Sequence, residues 1–131
     1  MVKMIEQRAR FKTSPETLFE LYIDSKKHSA AIGAKVSISR KEGSKFTAYD
    51  GWILGKNILI APNKMIVQIW RGKDWNKKDR DSILILNFNK VSDGAEVHLV
   101  HVNVPDKCVK DIEKGWKEYY WKKWAKYLKK K

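Results

Sequence analysis

The chain has a single cysteine in 131 residues, Cys108. A lone thiol excludes an internal disulfide framework and a cysteine cluster for zinc. Its place in the first turn of a predicted helix could lower its pKa, but a structural thiol is the reading taken. No uncharged apolar run approaches the ~18–20 residues that span a bilayer, and Met1-Val2-Lys3-Met4-Ile5-Glu6 lacks the apolar stretch of a secretory signal. A soluble, cytoplasmic protein is therefore expected. Internal repeats and low-complexity linkers are absent too, so residues 1–131 are expected to form one domain. No nucleophile-with-base pair, phosphate-cradling glycine loop or catalytic carboxylate pair is present, so neither an enzyme nor a cofactor is expected. His98 and His101 stand three apart in a strand-like run, on opposite faces, which argues against a shared metal. Asp74, Asp79 and Asp81 alternate with Lys73, Lys77, Lys78 and Arg80, the pattern of a solvated loop rather than a calcium site.

Acidic residues are scarce: 15 stand against 28 lysines and arginines, a formal net charge of +13. The excess is almost all lysine, with five arginines and neither a glycine-arginine tract nor zinc-finger spacing. Base readout favours arginine. The pattern suits a solvated surface or an acidic protein partner, and specific nucleic-acid binding is not expected.

What is present reads in order. Lys3 to Phe11 alternates as a half-buried strand. Thr13-Ser14-Pro15-Glu16 supplies a hydroxyl cap, a first-turn proline and an early acid, and Leu18, Phe19, Tyr22 and Ile23 follow at helical spacing. A second short helix is read over Lys26 to Ile32, closed by Gly33, with His28 a solvated side chain. Six extended runs follow: Lys35 to Ser39, Lys45 to Tyr49, Trp52 to Ile60, Lys64 to Arg71, Ser82 to Asn89 and Ala95 to Asn103. Asp50-Gly51 and Asp93-Gly94 are hairpin signals, because glycine tolerates positive φ. Trp75 lies in the long Gly72 to Asp81 loop, where it either folds back as a lid or anchors a partner together with Arg71; the lid is preferred.

Asp106 to Lys131 is the organising stretch, a long helix with Asp106 as N-cap after Pro105. Val109, Ile112, Trp116, Tyr119, Tyr120, Trp124, Tyr127 and Leu128 gather on one side of a 3.6-residue wheel, and Trp121 falls outside it. Rings of about 150–250 Å² each need a large concave partner surface. Glu113 with Lys117, Glu118 with Lys122 and Asp106 with Lys110 stand in the favourable i,i+4 order. Gly115, inside the helix, is read as a site of close packing against a strand rather than a ligand contact. The element order is β-α-α-β6-α, an α+β fold with the sheet wrapped over the terminal helix.

Several motifs, in order and spacing, resemble the activator of heat-shock protein 90 ATPase homologue family of the START-like (SRPBCC, helix-grip) superfamily. These are Ser14-Pro15-Glu16, Gly43-Ser44-Lys45-Phe46, Asp50-Gly51-Trp52-Ile53, Ile66-Val67-Gln68-Ile69-Trp70-Arg71, Val104-Pro105 and Gly115-Trp116 with Tyr119-Tyr120. The likeness is greatest to the C-terminal domain of the eukaryotic-type activator. No segment here corresponds to that protein's N-terminal domain. The resemblance implies a helix-grip fold and a co-chaperone-like interaction with heat-shock protein 90, or with another acidic protein, through a basic surface including Lys122, Lys123, Lys126 and Lys129. It also implies a cavity between helix and sheet, with Trp70, Trp116, Tyr119, Tyr120 and Trp124 as candidate lining residues. A small hydrophobic ligand there is the alternative function, although so many rings are expected to fill the space rather than leave it open.

Overall fold

The computed structural model describes residues 2–129, and in it the alternating runs become one six-stranded antiparallel sheet. Its strands are β1 (Val2–Phe11), β2 (Lys45–Ala48), β3 (Ile53–Ala61), β4 (Met65–Gly72), β5 (Ser82–Val91) and β6 (Gly94–Pro105), in the spatial order β1-β6-β5-β4-β3-β2. Two short helices, α1 (Pro15–Ile23) and α2 (Ser25–Ile32), lie between β1 and β2. A long terminal helix follows β6, built from α3 (Val109–Trp116), a π-helical turn (Lys117–Trp121) and α4 (Lys122–Lys129). This is the expected α+β helix-grip arrangement. Lys130 and Lys131, which the sequence assigns to the helix, lie outside the described residues.

Period-two patterning selects the face that the helices cover. In β4, Ile66, Gln68 and Trp70 are buried while Val67 and Ile69 are partly exposed; in β5, Ser82, Leu84, Leu86 and Phe88 are buried. The helices close over that face, with α1 against β5 and β6 and α2 against α4. Local chemistry fixes the ends of the short helices. Ser14 Oγ accepts the Thr17 amide at 3.1 Å, Asp24 Oδ1 accepts the amides of Lys26 and Lys27, and Gly33 ends α2 at φ 73°.

Three sequence expectations are corrected here. Residues 35–39 form no strand; they make a single bridge, Ser37 with Thr47. On their other side the backbone is taken up by α2. Ser25 Oγ accepts the Ile38 amide at 2.8 Å and donates to the Ile38 carbonyl at 2.7 Å, and Ser29 Oγ accepts the Val36 amide at 3.0 Å. Two hydroxyls thus occupy ladder groups that a further strand would need, and they also seal this edge against foreign strands. Asp106 caps no helix: residues Asp106–Cys108 form a tight 3-10 turn that carries the chain away from β6, α3 starts only at Val109, and the carboxylate turns to Lys3 Nζ at 3.6 Å. Of the three i,i+4 pairs, Glu118 with Lys122 closes, at 2.8 Å.

The third correction concerns Trp121. The Lys122 amide donates to the Lys117 carbonyl, an i→i+5 bond that widens this turn. Successive residues are rotated less than on a regular wheel, so Tyr120 and Trp121 both turn inward and both are buried. Trp121 stacks on Trp116 at 5.7 Å and donates its Nε1–H to Gln7 Oε1 at 2.7 Å.

Candidate functional site

Side chains four apart on a helix lie on one face, and the terminal helix presents two such stripes to the sheet. The inner one, Ile112, Trp116 and Tyr120, is buried; the outer one, Asp111, Gly115 and Tyr119, borders solvent. Opposite stand Tyr49 and Trp52 from the turn before β3, Ile53 of β3 and Trp70 of β4. These residues enclose a cleft of about 520 Å³, within the range of small-molecule sites. Trp70, Trp116 and Tyr120 form its floor at 3% exposure each, whereas Trp52 at 40% and Tyr119 at 55% stand at its mouth.

A buried relay fixes the floor. An indole nitrogen can only donate, so the 3.2 Å contact of Trp116 Nε1 with His101 Nδ1 makes Nδ1 the acceptor. His101 Nε2 therefore carries the proton and donates to Ser82 Oγ at 2.7 Å, and Ser82 Oγ donates to the Trp70 carbonyl at 2.7 Å. The Trp70 and His101 rings meet at 4.8 Å. Burial pushes the His101 pKa down to about 3, which keeps the ring neutral and the relay intact.

A second histidine supports the same wall. His28 is buried, contrary to the solvated side chain expected: α2 turns it inward. Its Nδ1–H donates to the Tyr22 carbonyl at 2.7 Å, and its Nε2 accepts the Tyr120 hydroxyl at 3.0 Å. Burial lowers its pKa to about 4 and raises that of the Tyr120 phenol. Tyr49 closes the far end. It adopts positive φ, 49°, as does Asp50 at 59°, and its hydroxyl donates to the Tyr119 carbonyl in the π-helical turn at 2.6 Å. Asp50 Oδ1 accepts the Lys35 amide at 2.9 Å and holds this strained turn in place.

The structure brings Trp70, Trp116, Tyr119 and Tyr120 together around the cleft and leaves the space between them open rather than filled. Trp124 is not among the lining residues. It is fully buried behind them, 6.0 Å from Phe11 and 5.3 Å from Trp121. Gly115 packs against no strand; a Cβ built there would meet only the Tyr119 ring, at 3.5 Å. Tyr49, Trp52, Ile53, Asp111 and Ile112 were not singled out from sequence as cleft residues. The i,i+4 spacing of 111, 115 and 119 was the available signal.

The suggested partner residues separate. Trp75 is buried as a lid on Trp70, 5.8 Å between centroids, with the Arg71 guanidinium 5.8 Å above its ring. Arg71 is spent on its own loop, bonding the Asp79 carbonyl at 2.7 Å, Asp81 at 3.1 Å and the Asn76 carbonyl. Lys123 Nζ donates to the Ile32 carbonyl at 2.9 Å and lies over Tyr49 and Tyr119. Lys122, Lys126 and Lys129 are exposed. His98 meets Glu6 at 2.6 Å on the sheet face opposite His101. Among the described residues no three His, Cys, Asp or Glu side chains gather as a metal site. Burial raises the Cys108 thiol pKa rather than lowering it. No helix among the described residues is long and apolar enough to cross a membrane.

A sequence profile described as "Activator of Hsp90 ATPase homolog 1-like protein" matches residues 12–129. The chain is 27% identical over 115 residues to the activator of 90 kDa heat shock protein ATPase homolog of Dictyostelium discoideum, covering 88% of this chain and 30% of that protein. It is 27% identical over 116 residues to homolog 1 of Homo sapiens, covering 88% and 34%. The chain thus spans about a third of the length of the curated relatives it matches. Among solved structures, an HSP90 activator from Plasmodium falciparum superposes with a TM-score of 0.83 at 25% identity, covering 90% of each chain.

Proposed function

Because the chain belongs to the activator of heat-shock protein 90 ATPase homologue family, we infer that it is an interaction module that docks on a heat-shock protein 90 chaperone. It acts by binding rather than by catalysing a reaction of its own. The names of its relatives support this reading. The observation that carries it to particular residues is the lysine face of α4, where Lys122, Lys126 and Lys129 are exposed on a chain of net charge +13. Such a face meets an acidic surface, speeds the encounter and weakens with salt. Lys123 is excluded from it because its ammonium turns in to the Ile32 carbonyl, whereas Lys122 pairs with Glu118 but stays exposed. Replacing Lys122, Lys126 and Lys129 together by Glu is expected to weaken binding to the purified chaperone about tenfold or more in a calorimetric titration, with a melting temperature lowered only slightly by loss of the exposed Glu118–Lys122 pair. Unchanged affinity would remove this face from the interaction.

A second reading, binding of a small hydrophobic ligand, is favoured by the open aromatic cleft. Native mass spectrometry of gently purified protein is expected to show an added mass that disappears on denaturation. Protein homogeneous at its sequence mass after every gentle preparation would count against it.

A further inference from the structure

The outer stripe of the terminal helix runs, one turn at a time, carboxylate, gap, ring: Asp111, Gly115 and Tyr119, all lining the cleft. The gap is real space, since an added Cβ at Gly115 would meet nothing but the Tyr119 ring. Asp111 is the one carboxylate of the lining, and no lysine or arginine lines it. Among the described residues the Asp111 carboxylate makes neither an ion pair nor a hydrogen bond, in a chain holding 28 lysines and arginines. The rings around the gap are steeply inclined to one another: Trp52 meets Trp70 at 75° and Tyr49 meets Tyr119 at 64°. Inclined aromatic faces with a nearby free carboxylate are the chemistry that holds a cation. The Lys123 ammonium, which does not line the cleft, already lies 5.7 Å and 5.9 Å from the Tyr49 and Tyr119 ring centroids.

We propose that the cleft binds a flat organic cation, its ring on the aromatic floor and its positive end toward Asp111 beside the Gly115 gap. This rests on the cleft being a ligand site, the second reading above. An anion would face Asp111 with no compensating cation in the lining, and an uncharged ligand would leave the carboxylate unused. The net positive charge of the chain opposes a cation, and the Lys123 ammonium, 5.7 Å and 5.9 Å from two lining rings, is its nearest part; charges beyond about 8 Å are screened at physiological ionic strength, whereas ring and carboxylate act at contact.

The test is a titration with three probes of similar shape: N-methylquinolinium, a cation; quinaldine, uncharged at neutral pH; and quinaldate, an anion. Binding is followed by NMR through the indole N–H signals of Trp52, Trp70 and Trp116. The cation is expected to bind about tenfold or more tighter than quinaldine, with quinaldate weakest. Asp111→Asn should lower the cation to quinaldine ratio severalfold while leaving quinaldine itself unaffected, the remainder of the preference coming from the rings. Gly115→Leu should abolish binding of both in a protein that melts no lower than the parent. Equal affinity for cation and quinaldine, or a preference that Asp111→Asn leaves undiminished, overturns the cation assignment and leaves the ligand reading standing. Absence of any shift with all three probes overturns both.

Discussion

Gly55 and Gly115 are both interior glycines with opposite surroundings. A Cβ at Gly55 would lie 1.8 Å from the Ile69 carbonyl oxygen of the neighbouring strand, where backbone cannot yield. At Gly115 the helix backbone is ordinary and the space open. Gly115→Ala is therefore expected to stabilise the protein by about 0.5–1 kcal/mol through helix propensity, and Gly55→Ala to cost about 3 kcal/mol or more; urea unfolding of the two variants checks both signs. Sequence alone could not separate them, because an interior glycine signals only that a side chain is unwelcome or unnecessary. The histidines were equally opaque: nothing local in Lys27-His28-Ser29 records that Tyr120, 92 residues on, receives its ring. Their burial has a consequence in pH. His28 and His101 have folded pKa values of about 4 and about 3, below the ordinary 6.5, so the unfolded chain binds more protons than the folded one. Stability is complete above about pH 6.5 and declines as pH falls toward those values, by about 1.4 kcal/mol per pH unit for each histidine. His101→Gln should roughly halve the histidine contribution to that slope in unfolding curves taken across this range; an unaltered slope would contradict the buried, neutral assignment.

At the scale of elements, the terminal helix was legible as a helix and its inner stripe as a burial face, because Ile112, Trp116, Tyr120 and Trp124 recur every four residues. Its π-helical turn was not. A wheel assumes 3.6 residues per turn, and one widened turn shifts the phase of everything after it, which is why Trp121 was misplaced. Deleting Lys117 should restore a regular helix and pull Trp121 or Trp116 out of register with its pocket. The expected cost is about 3–5 kcal/mol, that of removing a buried tryptophan, against near zero for Lys117→Ala at this exposed position. Equal melting temperatures for the two variants would show that the π-helical turn bears no packing load. The edge at residues 35–39 was misread for a related reason: alternation marks extended backbone, but only Ser25 and Ser29 of α2 decide whether that backbone joins the sheet.

For the whole molecule, the motif order carried the family and the helix-grip layout, while the cleft depended on how far apart the packed layers stand. Ring count suggested a filled interior. The rings are instead anchored sideways, Trp116 to His101 and Tyr120 to His28, and so stand around a space of about 520 Å³ without collapsing into it. The charge, in contrast, was legible at once, and its arrangement is what the chaperone reading depends on. The most direct measurement is the dissociation constant between this chain and the heat-shock protein 90 of its own organism, taken at low and at physiological salt. Docking through the α4 lysines predicts binding at low salt that weakens about tenfold or more as salt rises. No binding at low salt, or an affinity indifferent to salt, would contradict it.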